Sequence, residues 1–240
     1  MPTDGGATMP TPDVSLRDGA TAHRVLHLHE RVLGKNEQQA ALNRKLFHKK
    51  GFQVINVLSA PGSGKTALLE RTLTDLRGEL RGAVIVGDLA TDNDAKRLQR
   101  SGAPIVQITT GTVCHLESAM IARACEQLDL DAIDLLFIEN VGNLVCPASF
   151  DLGEGLRVVL TSVTEGEDKP LKYPTLFKTA DIVLLTKIEL ADVAGFERAT
   201  AHRNVREIAT RAEILEVSAR TGQGLEAWYR LLRGMVHAHA

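Results

Sequence analysis

Residues 59–66 of the chain read SAPGSGKT, a run that combines glycines with a lysine and a threonine at a spacing suited to phosphate. Gly62 and Gly64 allow the backbone to turn its N–H groups towards an anion, and a following helix would direct its positive end at the same point. Lys65 can reach the β- and γ-phosphates of a nucleoside triphosphate, and Thr66 can offer its hydroxyl to Mg²⁺. We therefore predict a phosphate-binding loop, whose nucleotide contacts are Gly62, Ser63, Gly64, Lys65 and Thr66.

Two acidic residues end apolar runs further along the chain and could complete a magnesium site. Asp88 follows the run VIVG, and Glu139 follows LLFI. Carboxylates at the ends of neighbouring strands can hold a hard cation directly or through water. Asp92 and Asp94 lie just beyond and could position the attacking water, although a helix N-cap is an equally good interpretation of Asp92. The predicted Mg²⁺ ligands are Thr66, Asp88 and Glu139, and the predicted catalytic residues are Lys65, Asp88 and Asp94.

A second pair of segments concerns the base of the nucleotide. Thr186 and Lys187 follow an apolar run and are followed by Glu189, where guanine-specific proteins carry an Asp. A carboxylate there accepts from the guanine N1–H and the exocyclic amine together, a pairing that adenine cannot match. Ser218 and Ala219 follow the last predicted strand and resemble the loop whose backbone contacts the guanine oxygen in GTPases. The two segments together predict GTP and GDP, rather than ATP, as the nucleotides bound.

Short apolar runs alternate with helical segments after residue 51, and this alternation must position the motifs. The strands are near-continuous apolar runs, which is typical of a mostly parallel sheet with helices on both faces. The sequence therefore predicts the α/β class. Strands are expected at 54–58, 83–87, 105–108, 135–138, 157–163, 182–185 and 214–217, and helices near 65–78, 92–101, 115–128, 196–211 and 224–236.

The first 50 residues have a different character. Residues 1–22 are rich in Gly, Pro, Thr and Asp without apolar periodicity, so we predict a disordered tail. Residues 23–50 carry apolar residues at helical spacing, with an interruption expected at Gly34 and an end at Gly51. The expected organisation is this tail, this helical segment and a phosphate-loop domain over 51–240. The histidines that we interpret as a solvated helix face rather than metal ligands are His23, His27 and His29.

Composition and charge indicate which broad classes of protein this chain can belong to. Among 240 residues, 44% are hydrophobic and 24% are charged, as in a globular protein with enough apolar material for a core. The 28 Lys and Arg nearly balance 30 Asp and Glu, so nothing favours a nucleic-acid or membrane-surface partner. No apolar stretch is long enough to span a bilayer and the N-terminus lacks a signal-peptide layout, so we expect a cytoplasmic protein. In that reducing compartment the three cysteines should not form disulfides.

Three longer stretches, at 109–117, 138–147 and 162–174, are more specific than the GTPase motifs. They include the segments ENVGNLVC and EGEDKP. Together with the phosphate loop they closely resemble the hydrogenase nickel-incorporation GTPase family (HypB), over about residues 26–236. The resemblance implies a P-loop NTPase fold of the SIMIBI type and a protein that forms a GTP-dependent homodimer. It also implies that nickel passes towards the hydrogenase large subunit with the help of a partner chaperone.

A metal site follows from the same resemblance. The family's metal ligands match Cys114, His115 and Cys146, each facing its copy across the dimer interface. Thiolate and imidazole suit Ni²⁺ and Zn²⁺ far better than Mg²⁺. Cys125 falls in a predicted helix, where we interpret it as a small buried side chain.

The segment between the two proposed sites suggests how they communicate. Gly142 occupies the place of the switch that senses the γ-phosphate through a backbone N–H, and Cys146 lies four residues beyond it. Movement of that loop on hydrolysis would therefore move a metal ligand. Our hypothesis is that the nucleotide state controls metal affinity. No glutamine or arginine finger can be assigned from the sequence, which favours a slow switch over a fast catalyst.

Several departures from these patterns keep alternatives open. Ser59 replaces the usual first Gly of the loop and Glu189 replaces an Asp, as in a metal-storage or scaffold protein with a degenerate nucleotide site. Ala119 stands where some members have a His, so water or the partner subunit would complete the metal shell. A urease-type accessory GTPase has a Pro between the matching Cys and His. Cys114 and His115 are adjacent here, which favours hydrogenase as the client.

Overall fold

The computed structural model describes the backbone of residues 19–89 and 92–237, and side chains from residue 32 onwards within those ranges. Its centre is a seven-stranded sheet in the order β3-β2-β4-β1-β5-β6-β7, and every pairing is parallel. The strands are β1 (Gln53–Ser59), β2 (Gly82–Asp88), β3 (Ile105–Thr109), β4 (Leu135–Glu139), β5 (Leu156–Ser162), β6 (Ile182–Thr186) and β7 (Glu213–Val217).

Helices cover both faces of this sheet, as the continuous apolar strands predict. One face packs against α2, α3 and α8, where Trp228 is fully buried, and the other packs against α1, α4, α6 and α7. The helices are α1 (Gly19–Lys50), α2 (Lys65–Asp75), α3 (Asn93–Gln99), α4 (Ser118–Cys125), α5 (Lys169–Lys172), α6 (Pro174–Lys178), α7 (Arg198–Ile208) and α8 (Leu225–His237). Short 3-10 turns lie at Leu130–Ala132, Cys146–Ser149, Val163–Glu165 and Ile188–Leu190.

The parallel strand order brings the loops that carry the predicted binding residues to one edge of the sheet. Because all strands are parallel, their carboxyl ends meet there, and the chain changes direction across the sheet beside the central strand β1. Ligands of open α/β sheets bind at such a point. The loops that leave β1, β2, β4 and β6 all carry residues that the sequence predicts to bind nucleotide or metal.

The N-terminal region differs from the prediction in one respect. Helix α1 runs without a break from Gly19 to Lys50, so the interruption expected at Gly34 is wrong. A glycine inside a helix costs only about 0.5–1 kcal/mol, which the packing of α1 offsets. Gly51 ends the helix as predicted, with a φ of 77°. Of the predicted tail 1–22, residues 1–18 lie outside the described part of the chain, and residues 19–22 belong to α1. The domain boundaries stay a prediction.

Two buried asparagines fasten α1 to the loops around the thiols. The Asn36 carboxamide accepts from the backbone N–H of Ser118 at 2.8 Å and donates to the carbonyl of Asp151 at 2.7 Å. Asn43 Nδ2 donates to the carbonyls of Ser118 and Leu152 at 2.8 and 3.0 Å. These contacts hold together the segments that follow His115 and Cys146. The side chains of the three N-terminal histidines lie outside the described residues.

No helix among the residues described is long and apolar enough to cross a membrane.

Candidate nucleotide and metal site

The predicted phosphate loop connects β1 to α2 and leaves the N-terminus of α2 open. Gly62 and Gly64 adopt φ values of 77° and 100°, a region that favours glycine, and this turns the loop around the helix end. A cavity of about 510 Å³ opens in front of it. The cavity brings together most of the residues predicted to hold phosphate and magnesium. Its lining includes Gly62, Gly64, Lys65, Thr66, Asp88, Asp94, Glu139 and Gly142.

Lys65 is buried at the back of this cavity. Its Nζ donates a hydrogen bond to Ser59 Oγ at 2.9 Å, and Ser59 donates in turn to the carbonyl of Ala60 at 2.7 Å. Burial lowers the pKa of Lys65, while nearby carboxylates, Glu139 first among them, act in the opposite direction. The serine at the first position of the loop therefore supplies an acceptor that a glycine would lack.

Glu139 and Thr66 meet at the floor of the cavity. Thr66 Oγ1 donates to Glu139 Oε1 at 2.6 Å, whereas Glu139 Oε2 is buried without a hydrogen-bond partner. Burial raises the pKa of Glu139 to about 7, against the opposing effect of Lys65. A hydroxyl beside a carboxylate with an unused oxygen suits the oxygen-ligand preference of Mg²⁺, so these residues and the nearby Asp88 fit the ion.

The base side of the site is built on Lys187, the only non-glycine residue with a positive φ (57°) in the described part of the chain. Lys187 Nζ donates to the carbonyl of Gly62 at 2.7 Å, and Thr186 Oγ1 donates to the carbonyl of Ser63 at 2.7 Å. Both contacts fasten the loop after β6 to the phosphate loop. The two predicted nucleotide motifs, more than a hundred residues apart, thus form one surface.

A smaller cavity of about 180 Å³ lies beside Lys187 and is lined by Glu189 and Ala219 among others. Glu189 Oε2 is buried and has no hydrogen-bond partner. An unpaired carboxylate oxygen in a mainly apolar cleft has the chemistry to accept from a guanine base. Ser218 does not line the cleft; its Oγ accepts from the backbone N–H of Thr221 at 3.0 Å and shapes the loop instead.

The three residues predicted to bind a soft metal lie together. The ligand atoms of Cys114, His115 and Cys146 are all within 4.8 Å of one another. Cys146 and burial raise the pKa of the Cys114 thiol, and burial lowers the pKa of His115. The imidazole stacks on Phe150, with ring centroids 3.8 Å apart, and its Nε2 is buried without a hydrogen bond. Two thiols and an imidazole at this spacing fit Ni²⁺ or Zn²⁺.

Cys125 takes no part in this cluster. It lies in α4 with 3% of its surface exposed, and burial raises the pKa of its thiol to about 11. The interpretation of Cys125 as a buried structural side chain is therefore confirmed.

The loop after β4 joins the two sites physically. A Cβ added to Gly142 would lie 3.1 Å from three atoms of Pro61, so this glycine packs directly on the phosphate loop. Asn143 Oδ1 accepts from the backbone N–H groups of Val145 and Cys146 at 2.8 and 3.4 Å. Only this short, hydrogen-bonded turn separates the phosphate loop from a thiol of the metal cluster.

Two side chains that the sequence does not single out connect the loops of the nucleotide and metal sites. Glu165 Oε1 accepts from Ser63 Oγ at 2.7 Å and from the backbone N–H of Ser162 at 2.9 Å. The S-x-x-E spacing at 162–165 is that of a capping box and was a usable signal. Asn140 Oδ1 accepts from the N–H of Leu116 at 3.3 Å, which links the end of β4 to the residue after His115.

Comparison with known proteins decides the family. The profile described as "CobW/HypB/UreG, nucleotide-binding domain" matches residues 53–216. The hydrogenase maturation factor HypB of Rhizobium leguminosarum bv. viciae is 48% identical over 214 residues, which are 89% of this chain and 72% of that protein. The chain belongs to the HypB family of hydrogenase maturation factors.

Solved structures agree with this assignment. The crystal structure of HypB from Helicobacter pylori in complex with nickel matches with a TM-score of 0.81 and 40% identity, over 85% of this chain and 96% of that one. Signal recognition particle 54 kDa protein from Aeropyrum pernix K1, solved with GDP, matches with a TM-score of 0.55 at 14% identity, over 77% of this chain and 46% of that one. That second likeness concerns the fold alone. The predicted SIMIBI-type P-loop fold is confirmed, with a sheet that is wholly parallel in the described residues.

Proposed function

We propose that this HypB-family protein is a GTP-hydrolysing metallochaperone that binds nickel at Cys114, His115 and Cys146 and delivers it during hydrogenase maturation. The observation that carries the proposal is the short segment 139–146. It begins with a carboxylate in the nucleotide cavity, packs on the phosphate loop at Gly142 and ends on a thiol of the metal cluster. The nickel complex of the H. pylori relative supports the choice of metal.

We assign the hydrolysis of GTP to the cavity in front of the phosphate loop. The N–H groups of the phosphate loop and the Lys65 ammonium bind the phosphates and stabilise the charge that develops on the transferred group. Thr66, Asp88 and Glu139 would hold Mg²⁺, which supplies charge neutralisation at the phosphates. Asp94 lines the same cavity and would orient the attacking water. Arg97 also lines this cavity, and its Nε is paired with Glu70 at 2.5 Å.

The metal cluster is suited to transfer rather than to storage. Three ligands in one protomer leave a tetrahedral site one ligand short, which water or a second copy of the chain completes. Val145, beside Cys146, is 63% exposed, so this edge of the cluster is open to solvent. We therefore propose a GTP-dependent homodimer that acts in the cytoplasm with a maturation chaperone and the hydrogenase large subunit. Zn²⁺ suits the same ligands and is the alternative occupant.

The storage or scaffold alternative depends on two departures from the GTPase pattern, at Ser59 and Glu189. Both residues are compatible with nucleotide binding. Ser59 holds the Lys65 ammonium, and Glu189 presents an unpaired oxygen to the base cleft. Neither substitution removes a group that nucleotide binding needs. These contacts favour an active GTPase.

The experiment that tests the function follows nickel as GTP is hydrolysed. Protein loaded with Ni²⁺ is mixed with a colorimetric chelator in the presence of GTP or of a non-hydrolysable analogue, and phosphate release is recorded in parallel. We expect nickel to reach the chelator at the rate of hydrolysis with GTP and much more slowly with the analogue. Equal release rates with both nucleotides would contradict the proposal.

Guanine selectivity gives a separate prediction. Glu189→Gln keeps the shape of the side chain but replaces one acceptor with a donor that faces the exocyclic amine. We expect GTP to bind about 10- to 100-fold more weakly, because a buried donor would be left unpaired. ATP binding should not change, because adenine does not make this pairing with the carboxylate. Competition titrations measure both, with Glu213→Gln, at an exposed position in β7, as the control; an unchanged ratio of GTP to ATP affinity would argue against the assignment.

A further inference from the structure

The orientation of the His115 ring separates the roles of its two nitrogens. The ring lies on Phe150 with an interplanar angle of 27°, so its plane is fixed. Nδ1 lies 4.0 Å from Cys114 Sγ and therefore faces the thiols. Nε2, on the other side of the ring, is the atom that is buried without a hydrogen bond.

One carboxylate is within reach of that unpaired nitrogen. Glu117 Oε1 lies 3.8 Å from His115 Nε2, about 1 Å beyond an ordinary hydrogen bond. The Glu117 side chain is 38% exposed and so has room to rotate. A buried ring N–H without an acceptor is unfavourable, and this favours closing the gap.

The backbone holds Glu117 in place for this contact. It is the N-cap of α4, and its carbonyl accepts from the N–H of Met120 at 2.9 Å. The next residue, Ser118, is fixed by Asn36 of α1. The backbone of Glu117 is thus held beside His115, while its side chain makes no capping hydrogen bond.

We propose that Glu117 is the positioning residue of the metal site, accepting a hydrogen bond from His115 Nε2–H and thereby leaving the Nδ1 lone pair free to bind the metal. The inference rests on the proposed metal site and deepens it. Histidines that bind metals commonly donate their second N–H to a carboxylate, which fixes the tautomer and strengthens the ligand. Glu117 acts through the imidazole and makes no bond to the metal.

The test combines nickel affinity with the tautomer of His115. Nickel dissociation constants are measured for the wild type, Glu117→Ala, Glu117→Gln and the control Glu126→Ala, which removes an exposed carboxylate at the other end of α4. The His115 tautomer is read from ¹⁵N shifts of the metal-free protein. We expect Glu117→Ala to weaken nickel binding about 10- to 100-fold and to lower the population of the Nε2–H tautomer. Glu117→Gln, whose amide oxygen still accepts, should stay within a few-fold of wild type.

Three results would overturn the inference: an unchanged affinity in Glu117→Ala, a Gln variant as weak as the Ala variant, or a loss of affinity without a change of tautomer. The last two would indicate direct ligation by the carboxylate. Cys114→Ala separates this from the proposed function. If that variant loses nickel while Glu117→Ala does not, only the role of Glu117 fails; if it binds like wild type, the metal site itself fails.

Discussion

The variant Lys65→Ala is expected to hydrolyse GTP about 100- to 1,000-fold more slowly than the wild type, the usual effect of removing a preorganised charge partner of the transition state. The ammonium lies at the back of the phosphate cavity and is held ready by Ser59. The substitution also removes the positive charge that favours the ionised form of buried Glu139, so the pKa of Glu139 is expected to rise further. Thermal unfolding of the variant checks that its fold is intact.

The measurement is phosphate release under saturating GTP, with thermal unfolding recorded on the same samples. Lys178→Ala is the matched control, since Lys178 is an exposed lysine at the end of α6, away from the nucleotide cavity. A Lys65→Ala variant that retained the wild-type rate would favour the scaffold alternative over the GTPase.

The second large effect concerns the thiol that ends the connecting loop. Cys146→Ser should weaken nickel binding by more than the 10- to 100-fold typical of losing an outer-shell partner, because a soft thiolate ligand becomes a poorly ligating hydroxyl. The absorption bands of nickel–thiolate charge transfer should weaken with it. GTP hydrolysis should change little, since Cys146 does not line the nucleotide cavity.

Cys125→Ala is the control for this variant. Cys125 is buried in α4 and lies outside the metal cluster, so nickel affinity and spectrum should match the wild type. If Cys146→Ser bound nickel as tightly as the wild type, the loop would not be part of the metal site. The proposed link between metal and nucleotide would then be wrong.

Most of the fold could be predicted because its signals are local. Each strand is an apolar run bounded by polar residues, and all seven expected strands are present. The phosphate loop is equally local, since the glycines and Lys65 act through the turn in which they lie. The start of α4 was less predictable: apolar Leu116 continues the helical spacing, yet the helix begins at Ser118, so His115 lies in the preceding loop.

Contacts between distant segments were beyond sequence reasoning. Glu165 reaches Ser63 across 102 positions, and Asn140 reaches the N–H of Leu116 across 24. Neither separation is a helical or strand repeat, so the periodicity of the sequence does not reveal these contacts. The tie between α1 and the loops after the thiols, through Asn36 and Asn43, is of the same kind, because it depends on how a helix docks rather than on its pattern.

The most direct test of the account is the dissociation constant for Ni²⁺ measured twice on the wild-type protein, once saturated with GDP and once with a non-hydrolysable GTP analogue. Gly142 packs on Pro61, so a rearrangement of the phosphate loop has a direct contact through which to reach the loop that carries Cys146. We predict at least about fivefold tighter nickel binding with the analogue, the lower end of ordinary coupling between two sites. Equal constants in the two states would show that the nucleotide does not act on the metal and would contradict the account.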